Sequence, residues 1–154
     1  MTPLKPARTR RDVLGLAATT AAAILVLPSL AQATPDKVAE EIKKLFGDKK
    51  LLAGKIKLDL PSIAENGLVV PLGFEVESPM TDTDYVKSIH FFAEGNPSVG
   101  VASFQFTPML PKAAAAIRIR LAKTQEIVAV AEMSNGEVYT AKKEVKVTIG
   151  GCGG

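Results

Sequence analysis

The chain has 154 residues, enough for one domain, and its 47% hydrophobic and 23% charged content describes a packed globule rather than a disordered chain. Its formal charge of +3 comes wholly from residues 1–33, where Lys5, Arg8, Arg10 and Arg11 stand against Asp12; the remainder balances 15 bases with 15 acids. That balance removes the electrostatic case for a nucleic-acid or anionic-membrane partner. One Cys and one His exclude an internal disulfide and are too few for an ordinary intrachain zinc site.

Residues 1–33 read as a twin-arginine (Tat) signal peptide. Arg10-Arg11 precede an apolar, Ala-rich run from Val13 to about Leu30; Pro28 breaks it, and Ala31-Gln32-Ala33 supplies the small-x-small cleavage pattern. A retained transmembrane anchor is the competing reading. The Gly, Thr and Ala content of the run and the cleavage pattern behind it favour removal. The mature chain then begins at Thr34 in the periplasm, an oxidising compartment, with no membrane attachment after cleavage.

Thr34-Pro35-Asp36 predicts the start of a helix: an N-cap, a proline suited to the first position, and an acid at the positive end of the dipole. Val38, Ile42, Leu45 and Phe46 form one apolar face, Lys37–Glu41 and Glu40–Lys44 pair on the wet side, and Gly47 ends the helix. From Lys55 the period becomes two, with Ile56, Leu58 and Leu60 on one face. Pro61 to Gly67 reads as a break with an Asn66-Gly67 turn. Leu68 to Glu77 reads as a strand that Pro71 places at an edge or a bulge. Further strands are expected over Tyr85–Phe92, Val99–Phe106, Ala114–Leu121, Ile127–Met133 and Val138–Ile149, the last two joined by the hairpin signal Ser134-Asn135-Gly136-Glu137. The expected fold is mainly β: an antiparallel immunoglobulin-like sandwich of about seven strands, without the Cys and Trp landmarks of true immunoglobulin domains.

The period-two pattern of Val145, Val147 and Ile149 stops at Gly150-Gly151-Cys152-Gly153-Gly154. Four glycines around one Cys leave a thiol with nothing to pack against and a linker free to sweep on the order of 10 Å. An exposed Cys near its free pKa is already a competent nucleophile. The organisation is therefore signal peptide 1–33, sandwich 34–149 and swinging arm 150–154.

Other candidates carry less. His90 alternates with Ile89 and Phe91 and reads as an outward- or partner-facing strand residue; a single His allows no Ser/His/Asp or Cys/His/Asn arrangement. Asp82 and Asp84 sit in a polar loop, and Lys142-Lys143 and Arg118/Arg120 read as solvated strand faces. No phosphate loop, metal cluster or cofactor fingerprint occurs.

The leader, the β-rich domain and the terminal Gly-Gly-Cys-Gly-Gly together resemble the SoxY family, the sulfur-carrier subunits of the periplasmic Sox thiosulfate-oxidising system. The stretches Ile119 to Gln125, Val128 to Ser134 and Val145 to Gly154 look like that family, and the tail is the most specific. The resemblance implies a carrier rather than an enzyme, with Cys152 as the covalent sulfur site and Gly150, Gly151, Gly153 and Gly154 as its arm. It also implies a heterodimer with a small β-rich SoxZ-like subunit. Three enzymes would serve it: a haem-containing loader of thiosulfate, a dimanganese hydrolase that releases sulfate, and a molybdenum-containing sulfane dehydrogenase. The helix face and the strand around Pro71 are candidate partner surfaces.

Two other functions compete. Cys152 could form intermolecular disulfides in a redox or assembly module. The final Gly153-Gly154 could hold a thiocarboxylate as ubiquitin-like carriers do, but that chemistry needs ATP, which an exported protein lacks. A prenyl anchor needs Cys fourth from the end, and Cys152 is third.

Overall fold

The computed structural model describes residues 34–150, and its first element is the expected helix, α1 (Pro35–Phe46). Thr34 is extended and caps it, accepting from the Lys37 amide at Oγ1 (3.4 Å), and the Gly47 amide closes it on the Lys43 carbonyl (2.8 Å). Residues 1–33, with the leader and its cleavage pattern, and Gly151, Cys152, Gly153 and Gly154 lie outside the described residues.

Nine strands follow among the described residues: β1 (Leu51–Ala53), β2 (Ile56–Asp59), β3 (Ile63–Asn66), β4 (Val70–Val76), β5 (Val86–Ala93), β6 (Gly100–Gln105), β7 (Ala113–Ile119), β8 (Gln125–Met133) and β9 (Val138–Ile149). One sheet runs β1-β9-β8-β5-β6, with β3 also on β9; the other runs β2-β4-β7. The sandwich is mainly antiparallel as expected, and it holds two strands more than the seven read from the pattern. Both extra strands, β1 and β3, are short and lie parallel to β9. Ile63–Asn66 was expected to be a break. It pairs because β9 runs past the end of β8, leaving Lys146 to Ile149 open to a neighbour.

Between the sheets lies the main core, with Leu72, Val86, Ile89, Phe91, Leu121, Ile127 and Val145 all closed to solvent. Phe74 packs against Phe91 and Phe104 at 4.9 and 5.1 Å between ring centres. A second cluster sits on the outer face of the larger sheet, where Val38 and Phe46 of α1 cover Phe92, Val128, Val130 and Val138. Strand β8 is buried on both faces for this reason.

These contacts correct two expectations about surfaces. The helix face does not await a partner, because Val38 and Phe46 bury it on the chain's own sheet; Leu45 alone stays half exposed. Strand β4 is central rather than at an edge. Pro71 is tolerated because β2 pairs only with Gly73 to Val76, so β4 at Pro71 has β7 on one side and no ladder on the other.

Candidate functional site

The described chain reaches Gly150, so the site is built from the root of the arm. Strand β9 delivers that root. Its first half is held between β8 and β1, and its second half passes from β8 to β3. Val145 is fully buried and Val147 partly so, whereas Ile149, on the same face, is 67% exposed. The strand therefore leaves the core within its last four residues.

Four hydrogen bonds fix this exit. The Lys146 amide donates to the Ser62 carbonyl (3.0 Å) and the Val147 amide to Thr124 Oγ1 (2.9 Å). The Gly67 amide donates to the Ile149 carbonyl (2.8 Å), and the Leu121 amide donates to the Gly67 carbonyl (2.8 Å). Gly150 then passes directly over the Ala122 carbonyl. A Cβ at Gly150 would strike that oxygen and lie 3.3 Å from its carbon, so this glycine serves close approach as well as freedom.

A buried polar pair holds the floor beneath the exit. Asn96 and Gln125 are 8% and 6% exposed. Asn96 Nδ2 donates to the Arg120 carbonyl (2.8 Å), and Asn96 Oδ1 accepts from the Ala122 amide (2.9 Å) and from Gln125 Nε2 (2.9 Å). Gln125 Oε1 accepts from the Gly95 amide (2.7 Å). Every polar group of this pair that faces inward is matched, which makes the loop after β5 and the end of β7 one rigid unit.

Sequence reasoning named Gly150 but gave no site role to Gly67, Thr124, Asn96 or Gln125. The turns at Asn66-Gly67 and Gly95-Asn96-Pro97 were the signals in reach: Asn66 Oδ1 does accept from the Leu68 amide (2.8 Å), as an Asx turn should. The arm residues Gly151, Cys152, Gly153 and Gly154 lie outside the described residues.

The remaining candidates fall elsewhere. His90 is on the outer face of the larger sheet, as expected, but its own helix covers it. Its ring meets Phe46 edge-on at 5.5 Å, stacks beside Phe92 at 6.5 Å, and shares a 2.9 Å hydrogen bond between Nδ1 and Ser103 Oγ. Burial pushes the imidazole below its ordinary 6.5, with Glu132 opposing. Glu132 is itself held below the usual carboxylate range by its hydrogen bond from Lys49 (2.8 Å), against some burial, with Lys87 helping. Asp84 closes a turn in which its amide donates to Thr81 Oγ1 (3.1 Å), and Lys142 pairs with Glu126 (2.8 Å), so both serve structure. Among the described residues no three His, Cys, Asp or Glu side chains converge as a metal site would require, and no helix is long and apolar enough to cross a membrane.

Comparison with known proteins matches this arrangement. The family model for the sulfur oxidation protein SoxY matches residues 42–152. The sulfur carrier protein SoxY from Chlorobium limicola f thiosulfatophilum superposes with a TM-score of 0.63 at 35% identity, covering 74% of this chain and 98% of that one. A superoxide reductase (neelaredoxin) from Ignicoccus hospitalis, in its E23A form, superposes at 0.54 and 20% identity, over 75% and 94% of the two chains. A putative superoxide reductase from Thermotoga maritima gives 0.53 and 14%, over 69% and 89%. These last two share the fold alone. Among curated protein sequences none matches. With the family model spanning most of the chain and the carrier structure aligned along nearly its whole length, the chain belongs to the SoxY family of sulfur carriers, proteins of sulfur oxidation that hold sulfur rather than transform it themselves.

Proposed function

We propose that this chain is exported to the periplasm through its twin-arginine leader and holds thiosulfate-derived sulfur covalently on Cys152, presenting it to successive enzymes. The observation that carries the reading is the pinned exit at Gly150: a rigid root two residues from the only thiol of the chain. A carried group that visits several active sites needs reach from a fixed origin and little bulk beside it.

The chemistry follows from the thiol. The Cys152 thiolate and the sulfane sulfur of thiosulfate join in an S–S bond, and two electrons leave to a haem-containing partner. Water then cleaves the terminal sulfone sulfur from the adduct as sulfate, releasing two protons and leaving a persulfide on Cys152; a dimanganese hydrolase fits that step. A molybdenum-containing dehydrogenase would oxidise the outer sulfur of the persulfide to a sulfonate, with water as the oxygen source and electrons passed onward. The chain itself supplies a nucleophile, an arm and a docking body, the last paired with a SoxZ-like subunit. Gly151, Gly153 and Gly154 keep the path to the thiol as narrow as a backbone allows.

Intact-mass measurement of the heterodimer after incubation with thiosulfate and the loading enzyme tests this reading. A thiosulfonate addition that vanishes in Cys152→Ser is expected. Absence of any addition, or its persistence in Cys152→Ser, overturns it. If the recovered product is only a disulfide-linked dimer through Cys152, the redox-module reading takes its place.

A further inference from the structure

Beyond residue 33 the chain has 15 basic side chains, and only two are arginines, Arg118 and Arg120. Both are exposed at the open edge of the smaller sheet, and both line a cleft of about 440 Å³ with Asn96, Ser98, Gly100 and Val101. Every ion pair among the described residues is made by a lysine, and neither guanidinium has an acidic partner. The end of β7 that lines this cleft also leads to the arm root. The Arg120 carbonyl is held by Asn96, and Ala122, two residues on, abuts Gly150.

Resting on the carrier reading above, we propose that the Arg118/Arg120 cleft is an oxyanion site in which the sulfonate end of the loaded arm rests between visits to enzymes. Cys152 is two residues past Gly150, a span of about 7 Å when extended, and the S–S–sulfonate adduct adds further length. An arginine side chain reaches back a comparable distance. The guanidinium fork matches a sulfonate as it matches carboxylate or phosphate, with two parallel N–H donors, which an ammonium cannot offer. The Asn96–Gln125 network fixes the cleft wall against the end of β7, so little ordering is needed when the ion arrives.

An exposed arginine pair binds a free monoanion weakly in water. The tether changes that, because a short flexible linker holds its cargo at an effective concentration on the order of millimolar. The unloaded thiol has no sulfonate and no reason to stay. Loading would thus draw the arm to the body, and removal of the sulfonate as sulfate would free it.

The test uses the mature full chain with its partner subunit, loaded chemically. The Cys152 thiolate attacks an inner sulfur of tetrathionate, the central S–S bond breaks, and thiosulfate leaves as the anion, giving the same thiosulfonate adduct without any enzyme. In the mature chain the Nε–Hε signals of this protein come from Arg118 and Arg120 alone. Loading is expected to shift both, the shifts collapsing in about 0.5 M salt as screening predicts. An uncharged methylthio adduct on Cys152 should leave both in place. Free thiosulfate added to Cys152→Ser should move the same signals in the same direction at millimolar concentrations. The Arg118→Gln/Arg120→Gln variant, with unchanged thermal unfolding, should lose its adduct to a neutral phosphine about twofold to fivefold faster than the parent. Unmoved arginine signals on loading, equal shifts with the methylthio group, or equal reduction rates overturn the proposal. Since loading here needs no enzyme, these results stand apart from whether the thiosulfate-loading partner charges Cys152.

Discussion

The amide of Gly67 donates to the carbonyl of Ile149 at 2.8 Å, while the carbonyl of Gly67 accepts from Leu121. One residue thus ties the last residue of β9 to the segment just after β7. Gly67→Pro removes the donor and is expected to cost about 1–2 kcal/mol. Amide hydrogen exchange should quicken at Thr148 to Gly150 and stay slow in β8. Uniform quickening across β8 would mean that the bond supports the whole fold and not the exit.

Gly150→Ala places a methyl group against the Ala122 carbonyl. Gly150 lies past the end of β9, so the chain can shift there and the thermal midpoint should hardly move. The direction in which the arm leaves should change, with amide shifts centred on Ala122 and Lys123. Enzymatic loading of Cys152 should fall about tenfold, because small misplacements of a reacting group are costly. Loading at the parent rate would show that the exit direction is irrelevant.

His90 makes stability depend on pH. Its folded-state pKa lies below the ordinary 6.5 because burial disfavours the imidazolium. The unfolded chain therefore binds the extra proton first as pH falls, and stability is lost from about 6.5 downward through the depressed folded value. Urea midpoints measured between pH 7.5 and 5.5 should decline, and His90→Gln should flatten that decline. Glu132, held low by Lys49, gives a separate loss that begins below its ordinary 4.5.

Phe46 links the helix to this titration. It is 6% exposed and meets the His90 ring edge-on. Phe46→Ala is expected to cost about 3 kcal/mol and to loosen α1 from the sheet. The His90 pKa should then rise toward 6.5, as followed by its ring proton shifts. A pKa that stays depressed would place the burial on Phe92 and Ser103 instead.

Most of the framework was legible in the sequence, because period and caps are local. Thr34, Pro35 and Gly47 bounded the helix as capping chemistry requires, and the alternation of Ile117, Arg118, Ile119 and Arg120 marked β7. What escaped depends on partners distant in sequence. Leu51–Ala53 and Ile63–Asn66 are too short to show a period, and they are strands only because β9 offers them an open edge. The helix face was visible, but that it would be spent on Val128 and Val138 was not. At the site, Cys152 stood out by its rarity and by the glycines on either side of it. The Asn96–Gln125 pair did not, since a buried amide looks like any loop residue until its neighbours are known.

Strand β9 is made after each of its partners β1, β3 and β8. A nascent chain that has not yet reached Val138 has two short segments with no sheet to join and a core lacking Val138 and Val145. The arm's origin and the keystone of the sandwich are the same element, so a ribosome cannot release a folded body of this kind without also having built the root of its arm. A check on the folded body is then also a check on the root at Gly150.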